Sequence, residues 1–115
     1  MIACSSPQEA INEKIGHADF QKMIQSDQIQ LIDVRSINEY NAGHLKEAVN
    51  LNISDGTLAS RLETLDKDKA ILVYCAVGGR SNSASQLLSE NGFKKIYDLK
   101  GGIRAWKESG KEVVN

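Results

Sequence analysis

The sequence is poor in the residues that mark several classes of protein. Among 115 residues it has two cysteines and one proline, and aromatic residues make up 5%. Two cysteines cannot form the network of disulfides that stabilises many small secreted domains. The 14 Lys and Arg residues nearly balance the 15 Asp and Glu residues, for a net charge of -1. That balance provides no general attraction to nucleic acid or to an anionic membrane surface, and we expect no nucleic acid as a partner.

Long apolar segments and metal-ligand motifs are also missing. No apolar run approaches the ~20 residues that a membrane-spanning helix needs. The two histidines, His17 and His44, lie far in sequence from each other and from both cysteines. No zinc-binding spacing is therefore present. We expect no membrane span and no structural metal.

The amino terminus leaves two interpretations open. Residues 1–7 (MIACSSP) resemble the end of a bacterial lipoprotein signal, in which a small residue precedes the cysteine that is lipidated. The charged and apolar regions of such a signal do not precede Cys4. As written, the chain is expected in the cytoplasm; if Cys4 is a lipoprotein cysteine, the protein is periplasmic or lipid-anchored. We expect residues 1–14 to form a flexible tail, loose or weakly helical, and residues 15–115 to form one domain.

Short apolar runs alternate with helical patterns along the rest of the chain. The runs cover residues 30–34, 48–51, 70–74 and 95–99. Apolar side chains recur at helical spacing over residues 17–24, 54–65, 81–91 and 103–109. Runs this short and β-branched suit strands buried on both faces, and strands that alternate with helices indicate a parallel sheet. We therefore expect an α/β domain with a central, mostly parallel sheet of four to five strands and helices on both faces.

The most apolar run leads into a loop that is suited to hold an anion. Cys75 follows the run directly, at the strand end where such sheets bind ligands. Gly78 and Gly79 allow a tight turn with inward-pointing N–H groups, and the next helix directs its positive end at the same place. Arg80 adds a permanent cation. A cation at a helix N-terminus is unfavourable without an anion nearby, so we expect Arg80 to serve an anion centred on the Cys75 sulfur.

This environment favours the thiolate of Cys75, which is the nucleophilic form of cysteine. The alternative is a small buried cysteine that ends a strand and does no chemistry. That alternative does not explain the run Gly-Gly-Arg-Ser, which leads into a helix. We therefore interpret Cys75 as a catalytic residue.

Four motifs in order make the chain similar to a single-domain rhodanese. The first is LIDVR at 31–35, followed by EY at 39–40, and the second is GHL at 43–45, followed by AVN at 48–50. The third is CAVGGRS at 75–81, and the fourth is GGI at 101–103, followed by AW at 105–106. Each motif alone is weak evidence. Together they extend the resemblance over about residues 15–113, nearly the whole chain.

The resemblance implies a sulfurtransferase that needs no cofactor. In such an enzyme the Cys75 thiolate attacks a donor, a small sulfur-containing anion such as thiosulfate or a persulfide, and retains the sulfur as a persulfide. An acceptor, either cyanide or a thiol, then removes that sulfur. The N–H groups that would hold the persulfide belong to Ala76, Val77, Gly78, Gly79 and Arg80.

The length of the loop separates the branches of the wider family. Four residues lie between Cys75 and Arg80. In the family this length accompanies sulfur chemistry, whereas related phosphatases and arsenate reductases have one more residue. We therefore favour sulfur transfer over these two activities. A sulfur carrier or protein-interaction module with little turnover is the main alternative, although members that serve only as scaffolds usually lack the cysteine.

Several neighbouring residues are expected to support the site. Asp33, at the end of its strand, is expected to brace the active loop, His44 to order a loop beside it, and Ser81 to support the turn into the helix. Arg35 and Glu39 are four residues apart, which favours an ion pair across a short turn.

The loop also indicates which donor suits the site. Arg80 is its only basic residue, so we expect thiosulfate to be a poor donor and a persulfide or protein-bound sulfur to be the better one. Because a small domain with a buried sheet can stand alone, we expect a monomer.

Overall fold

Five parallel strands form the centre of the molecule. The computed structural model describes residues 10–115. Its strands are β1 (Ile11–Ile15), β2 (Ile29–Asp33), β3 (Val49–Asn50), β4 (Ala70–Tyr74) and β5 (Lys95–Leu99). Their order across the sheet is β1-β5-β4-β2-β3, and every neighbouring pair is parallel. The most apolar strand, β4, is therefore the middle one, and its carboxyl end meets those of its neighbours.

A helix follows each strand along the chain. The helices are α1 (His17–Ile24), α2 (Ile37–Ala42), α3 (Thr57–Ser60), α4 (Gly79–Glu90) and α5 (Gly102–Glu108), with a 3-10 turn at Leu62–Thr64. Parallel neighbours require such crossovers, since the chain must return to the same end of the sheet after each strand. Among the residues that the structure describes, no helix combines the length and the apolar character needed to cross a membrane.

The alternation of side chains along β4 creates two cores. Ile71 and Val73 pack on one face of the sheet, together with apolar residues of α3 and α4. Leu72 and Tyr74 pack on the other face, with apolar residues of α1 and α5. All four side chains are fully buried, and burial of each large apolar side chain contributes about 1.5–3 kcal/mol. The predicted α/β fold, with helices on both faces of a parallel sheet, is confirmed.

The amino-terminal segment differs from the prediction. Residues 11–14 were expected to belong to a loose or weakly helical tail, and together with Ile15 they instead form β1, which pairs with β5 along its whole length. The expectation missed this strand because only its end residues, Ile11 and Ile15, are partly buried. The open edge of β5 supplies the backbone partners, and the sheet therefore begins at Ile11. The predictions about Cys4 and about residues 1–9 lie outside the described residues.

Candidate active site

Cys75 lies immediately after β4, and the first turn of α5 donates hydrogen bonds to the backbone at Cys75 and Ala76. The carbonyl oxygen of Cys75 accepts a hydrogen bond from the N–H of Ile103 at 2.9 Å, and that of Ala76 accepts one from Arg104 at 3.1 Å. Both donors lie in the first turn of α5, where helical N–H groups have no partner within the helix. The backbone that carries the thiol is thus fixed on two sides, by the strand and by this helix end.

The Cys75 sulfur lies in a small polar enclosure. The N–H of Gly78 donates a hydrogen bond to Sγ at 3.0 Å, and the thiol donates to Oγ of Ser81 at 3.4 Å. The Ser81 hydroxyl in turn donates to the carbonyl oxygen of Gly78 at 3.3 Å. Because a hydroxyl can rotate, Ser81 can also donate to an ionised sulfur. This arrangement can stabilise negative charge on Sγ without a charged neighbour in contact with it.

The loop between the sulfur and α4 depends on one glycine. Gly78 has a φ of +124°, a conformation that L-amino acids with a side chain rarely adopt. This conformation directs its N–H toward Sγ and starts α4 at Gly79, two residues before the predicted start. Within the loop, Cys75 is 1% exposed and Val77 is 59% exposed. The thiol is therefore enclosed, whereas the apolar side chain two residues after it is open to solvent.

Arg80 binds a carboxylate from another element. Its guanidinium donates to the two carboxylate oxygens of Glu39 at 2.7 and 2.9 Å. The predicted ion pair between Arg35 and Glu39 is therefore wrong. The i,i+4 rule applies within a helix, and Arg35 precedes α2, which begins at Ile37. A role for Arg80 toward substrate stays a prediction.

Glu39 is held in place by its own helix. It is the third residue of α2, whose N-cap is Ser36. The Ser36 N–H and hydroxyl donate to Oε1 of Glu39 at 3.2 and 3.0 Å, and the Glu39 N–H donates to the Ser36 hydroxyl. This reciprocal arrangement is a capping box. The hydrogen bonds from Arg80, followed by those from Ser36, lower the pKa of Glu39 to about 2, so the group is ionised at neutral pH.

Asp33 and Arg35 form a second, fully buried ion pair. Nη2 of Arg35 lies 2.7 Å from Oδ2 of Asp33, and the same nitrogen donates to the carbonyl oxygen of Gly43 at 2.6 Å. The backbone N–H of Arg35 also donates to the Asp33 carboxylate, at 2.9 Å. These hydrogen bonds to the Asp33 carboxylate come from Arg35, which links Asp33 to Gly43 after α2. The predicted support of the Cys75 loop by Asp33 stays a prediction.

His44 orders the turn that follows α2. Its ring stacks on that of Tyr40 with a centroid distance of 3.7 Å, and Nδ1 lies 2.9 Å from the Tyr40 carbonyl oxygen. Its backbone pairs with Val114, with hydrogen bonds of 2.8 Å in both directions. His44 therefore joins this turn to the carboxyl-terminal segment.

Two contacts of the site were missed from sequence. One joins Glu39 to Arg80, which are 41 residues apart, a separation from which sequence spacing predicts no contact. The other joins the first turn of α5 to the Cys75 loop. The Gly-Gly pair at 101–102 was the available signal for it, because a glycine at a helix start allows close approach of another backbone. Over residues 10–115, no three His, Cys, Asp or Glu side chains form a group that could hold a metal ion.

Comparisons with known proteins agree with this architecture. The family model of the rhodanese-like domain matches residues 17–109. Thiosulfate sulfurtransferase GlpE of Shewanella oneidensis is 38% identical over 88 residues, covering 76% of this chain and 85% of that protein. The protein of the same name from Coxiella burnetii is 36% identical over 95 residues, covering 83% and 87%. The crystal structure of a rhodanese-related protein from Thermoplasma volcanium matches with a TM-score of 0.79 at 35% identity, over 89% of this chain and 97% of that one.

Proposed function

This chain belongs to the rhodanese-like domain family, and we propose that it is a sulfurtransferase of the thiosulfate sulfurtransferase type. It moves a sulfane sulfur from a donor to a thiophilic acceptor through a persulfide on Cys75. The observation that carries the proposal is the environment of Sγ, which accepts a hydrogen bond from the Gly78 N–H at 3.0 Å and lies 3.4 Å from the Ser81 hydroxyl. These groups stabilise an anionic sulfur before and after the transfer.

In the first step the Cys75 thiolate attacks the outer sulfur of the donor. With thiosulfate, a bond forms between Sγ and the outer sulfur while the bond from that sulfur to the sulfonate group breaks. The electron pair of the broken bond leaves with sulfite, and Cys75 carries an anionic persulfide. With a low-molecular-weight persulfide, the leaving group is the corresponding thiolate.

In the second step the acceptor attacks the terminal sulfur of the persulfide. Cyanide leaves as thiocyanate, or a thiolate leaves as a new persulfide, and the electron pair of the broken bond returns to Sγ as thiolate. The division into two displacements is covalent catalysis, in which each barrier is lower than that of direct transfer. The Gly78 N–H and the Ser81 hydroxyl can act in both steps, because the Cys75 side chain is anionic at sulfur before and after each displacement.

Phosphate-ester or arsenate chemistry fits this loop less well. Arg80 already uses two nitrogens on Glu39, whereas binding of a tetrahedral oxyanion would require those donors. The four-residue spacing between Cys75 and Arg80 also provides fewer backbone N–H groups than the longer loop of those enzymes.

A steady-state assay tests the proposal. The protein is incubated with thiosulfate or a persulfide donor plus cyanide, and thiocyanate is measured alongside the Cys75→Ser variant. We expect turnover by the native chain and none by Cys75→Ser, with circular dichroism showing that the variant is folded. Undiminished turnover by folded Cys75→Ser would refute the mechanism. Persulfide loading without turnover would instead support the sulfur-carrier alternative.

A further inference from the structure

The one cation of the active loop is already neutralised. Both terminal nitrogens of Arg80 bind Glu39 in a fork-to-fork geometry, at 2.7 and 2.9 Å. Pairs of this geometry are among the stronger hydrogen-bonded ion pairs. The loop from Cys75 to Ser81 contains no other basic residue. The only basic side chain of this loop therefore belongs to an ion pair of zero net charge.

Arg80 nevertheless lies close enough to the sulfur to matter. The pKa of Arg80 is raised above its ordinary value, first by the hydrogen bonds to Glu39, with smaller contributions from the charges of Glu39, Cys75 and Asp33. Its position in the loop agrees with this, because Gly78 and Ser81, on either side of Arg80 in sequence, lie 3.0 and 3.4 Å from the Cys75 sulfur. If Glu39 were uncharged, the full positive charge of Arg80 would act on whatever binds at the sulfur.

The carboxylate of Glu39 is also in position independently of the loop. Two hydrogen bonds from Ser36 orient it at the start of α2, where the helix dipole favours negative charge. The exposed side chain of Val77, two residues after Cys75, adds apolar surface and no charge to the loop. The surroundings of the thiol are therefore poorly matched to a dianion such as thiosulfate.

We propose that Glu39 is a specificity-determining residue, which neutralises Arg80 and thereby makes the site select persulfide donors over thiosulfate. Glu39 acts through Arg80 and does not touch the donor. The preferred donor has the form R–S–S⁻, with an uncharged group on the sulfur that leaves. The Cys75 thiolate takes its terminal sulfur, and R–S⁻ departs. This inference rests on the proposed sulfurtransferase function and names the class of donor for it.

The experiment compares two donors by the rate at which they load Cys75. The donors are thiosulfate and the persulfide of 2-mercaptoethanol, whose substituent is uncharged. The fraction of protein that carries the added sulfur is quantified by rapid quenching and mass spectrometry. The variant Glu39→Gln keeps an oxygen acceptor for Ser36 and removes the charge. Glu90→Gln removes the same charge at the far end of α4, about 15 Å along the helix from Arg80.

We expect Glu39→Gln to load from thiosulfate roughly tenfold faster, because an unpaired cation near the sulfur attracts the dianion. Loading from the persulfide should change less than about twofold, and Glu90→Gln should change neither rate. In the double variant Glu39→Gln, Arg80→Gln the gain should disappear. If both rates fall together in Glu39→Gln, with their ratio unchanged, Glu39 only holds the site in place. That result would overturn the inference.

A measurement on the native chain tests the inference even if the Glu39→Gln variant does not fold. The rate of loading from thiosulfate should be nearly independent of ionic strength, because the site presents a neutral pair. A steep fall with added salt would reveal an unneutralised cation and would also overturn the inference. Failure of the native chain to load from either donor would instead reject the proposed function itself.

Discussion

Gly102 lies directly against the backbone of Ala76. A Cβ atom at Gly102 would collide with the Ala76 carbonyl group and would lie 2.6 Å from the carbonyl oxygen of Cys75. Gly102 also has a φ of +63°. The absence of a side chain is what allows the first turn of α5 to donate its N–H groups to the loop that carries the thiol. The Gly-Gly pair is therefore part of the candidate site, although it contributes no reactive group.

The first prediction concerns this close approach. Gly102→Ala should destabilise the protein and slow sulfur transfer, because the new methyl group pushes α5 away from the Cys75 loop. Gly110→Ala is a matched control, since Gly110 has a similar φ of +84° and nothing within 4 Å of its Cβ position. We expect the Gly102 variant to lose about 1–3 kcal/mol more than the control in urea unfolding, as overpacking does. Equal losses in the two variants would show that the contact has no energetic weight.

The parts of the fold that could be predicted from sequence are those in which burial dominates. The apolar runs of β4 and β5 are buried against two layers of helices, so hydrophobicity alone located them. The strand β1 and the helix α2 escaped prediction because their stability comes from backbone pairing and capping; α2 buries no residue fully.

The candidate site also has parts that could be predicted from sequence and parts that could not. The position of Cys75 followed from the strand before it and the glycines after it, which are local features. The partner of Arg80 could not be found locally, because it depends on the pairing of β2 with β4, whose carboxyl ends lead to α2 and to the Cys75 loop. Arg35 illustrates the same limit: a spacing of four residues suggested Glu39, but the start of α2 at Ile37 leaves Arg35 outside the helix and beside Asp33.

The second prediction concerns the buried pair of Asp33 and Arg35. Arg35→Met should cost about 3–5 kcal/mol in urea unfolding, because it leaves the Asp33 carboxylate buried without its cation. Arg104→Met is the control, since the side chain of Arg104 is 72% exposed and lies 3.4 Å from Glu108. Exposed pairs of this kind contribute about 0.3–0.5 kcal/mol. A loss for Arg35→Met no larger than that of the control would contradict the assignment.

The third prediction concerns the hydroxyl beside the sulfur. Ser81→Ala should slow the alkylation of Cys75 by iodoacetamide at neutral pH by roughly fivefold, which corresponds to about 1 kcal/mol of lost stabilisation of the anionic sulfur. Ser83→Ala, two residues further along α4 and exposed, should react at the native rate. An unchanged rate in Ser81→Ala would mean that the N–H of Gly78 alone supports the charge.

The fourth prediction is a dependence of stability on pH. The pKa of Glu39 is lowered from 4.5 to about 2 in the folded protein, chiefly by its hydrogen bonds to Arg80. Its contribution is therefore complete above pH 4.5 and is lost as the pH falls toward 2. The native chain should lose more stability over this window than Glu39→Gln does. Because both side chains are about one-third exposed, we expect the difference to be below about 1 kcal/mol. Parallel curves of unfolding free energy against pH would contradict the pairing.

The fifth prediction tests the central claim, that Cys75 carries the transferred sulfur. The protein is treated with thiosulfate or a persulfide donor, and its mass is measured before and after addition of cyanide, with peptide mapping to locate any adduct. We predict the addition of one sulfur atom on Cys75, its removal by cyanide, and no addition in Cys75→Ser. If neither donor adds sulfur to Cys75 of the folded native chain, the account is contradicted.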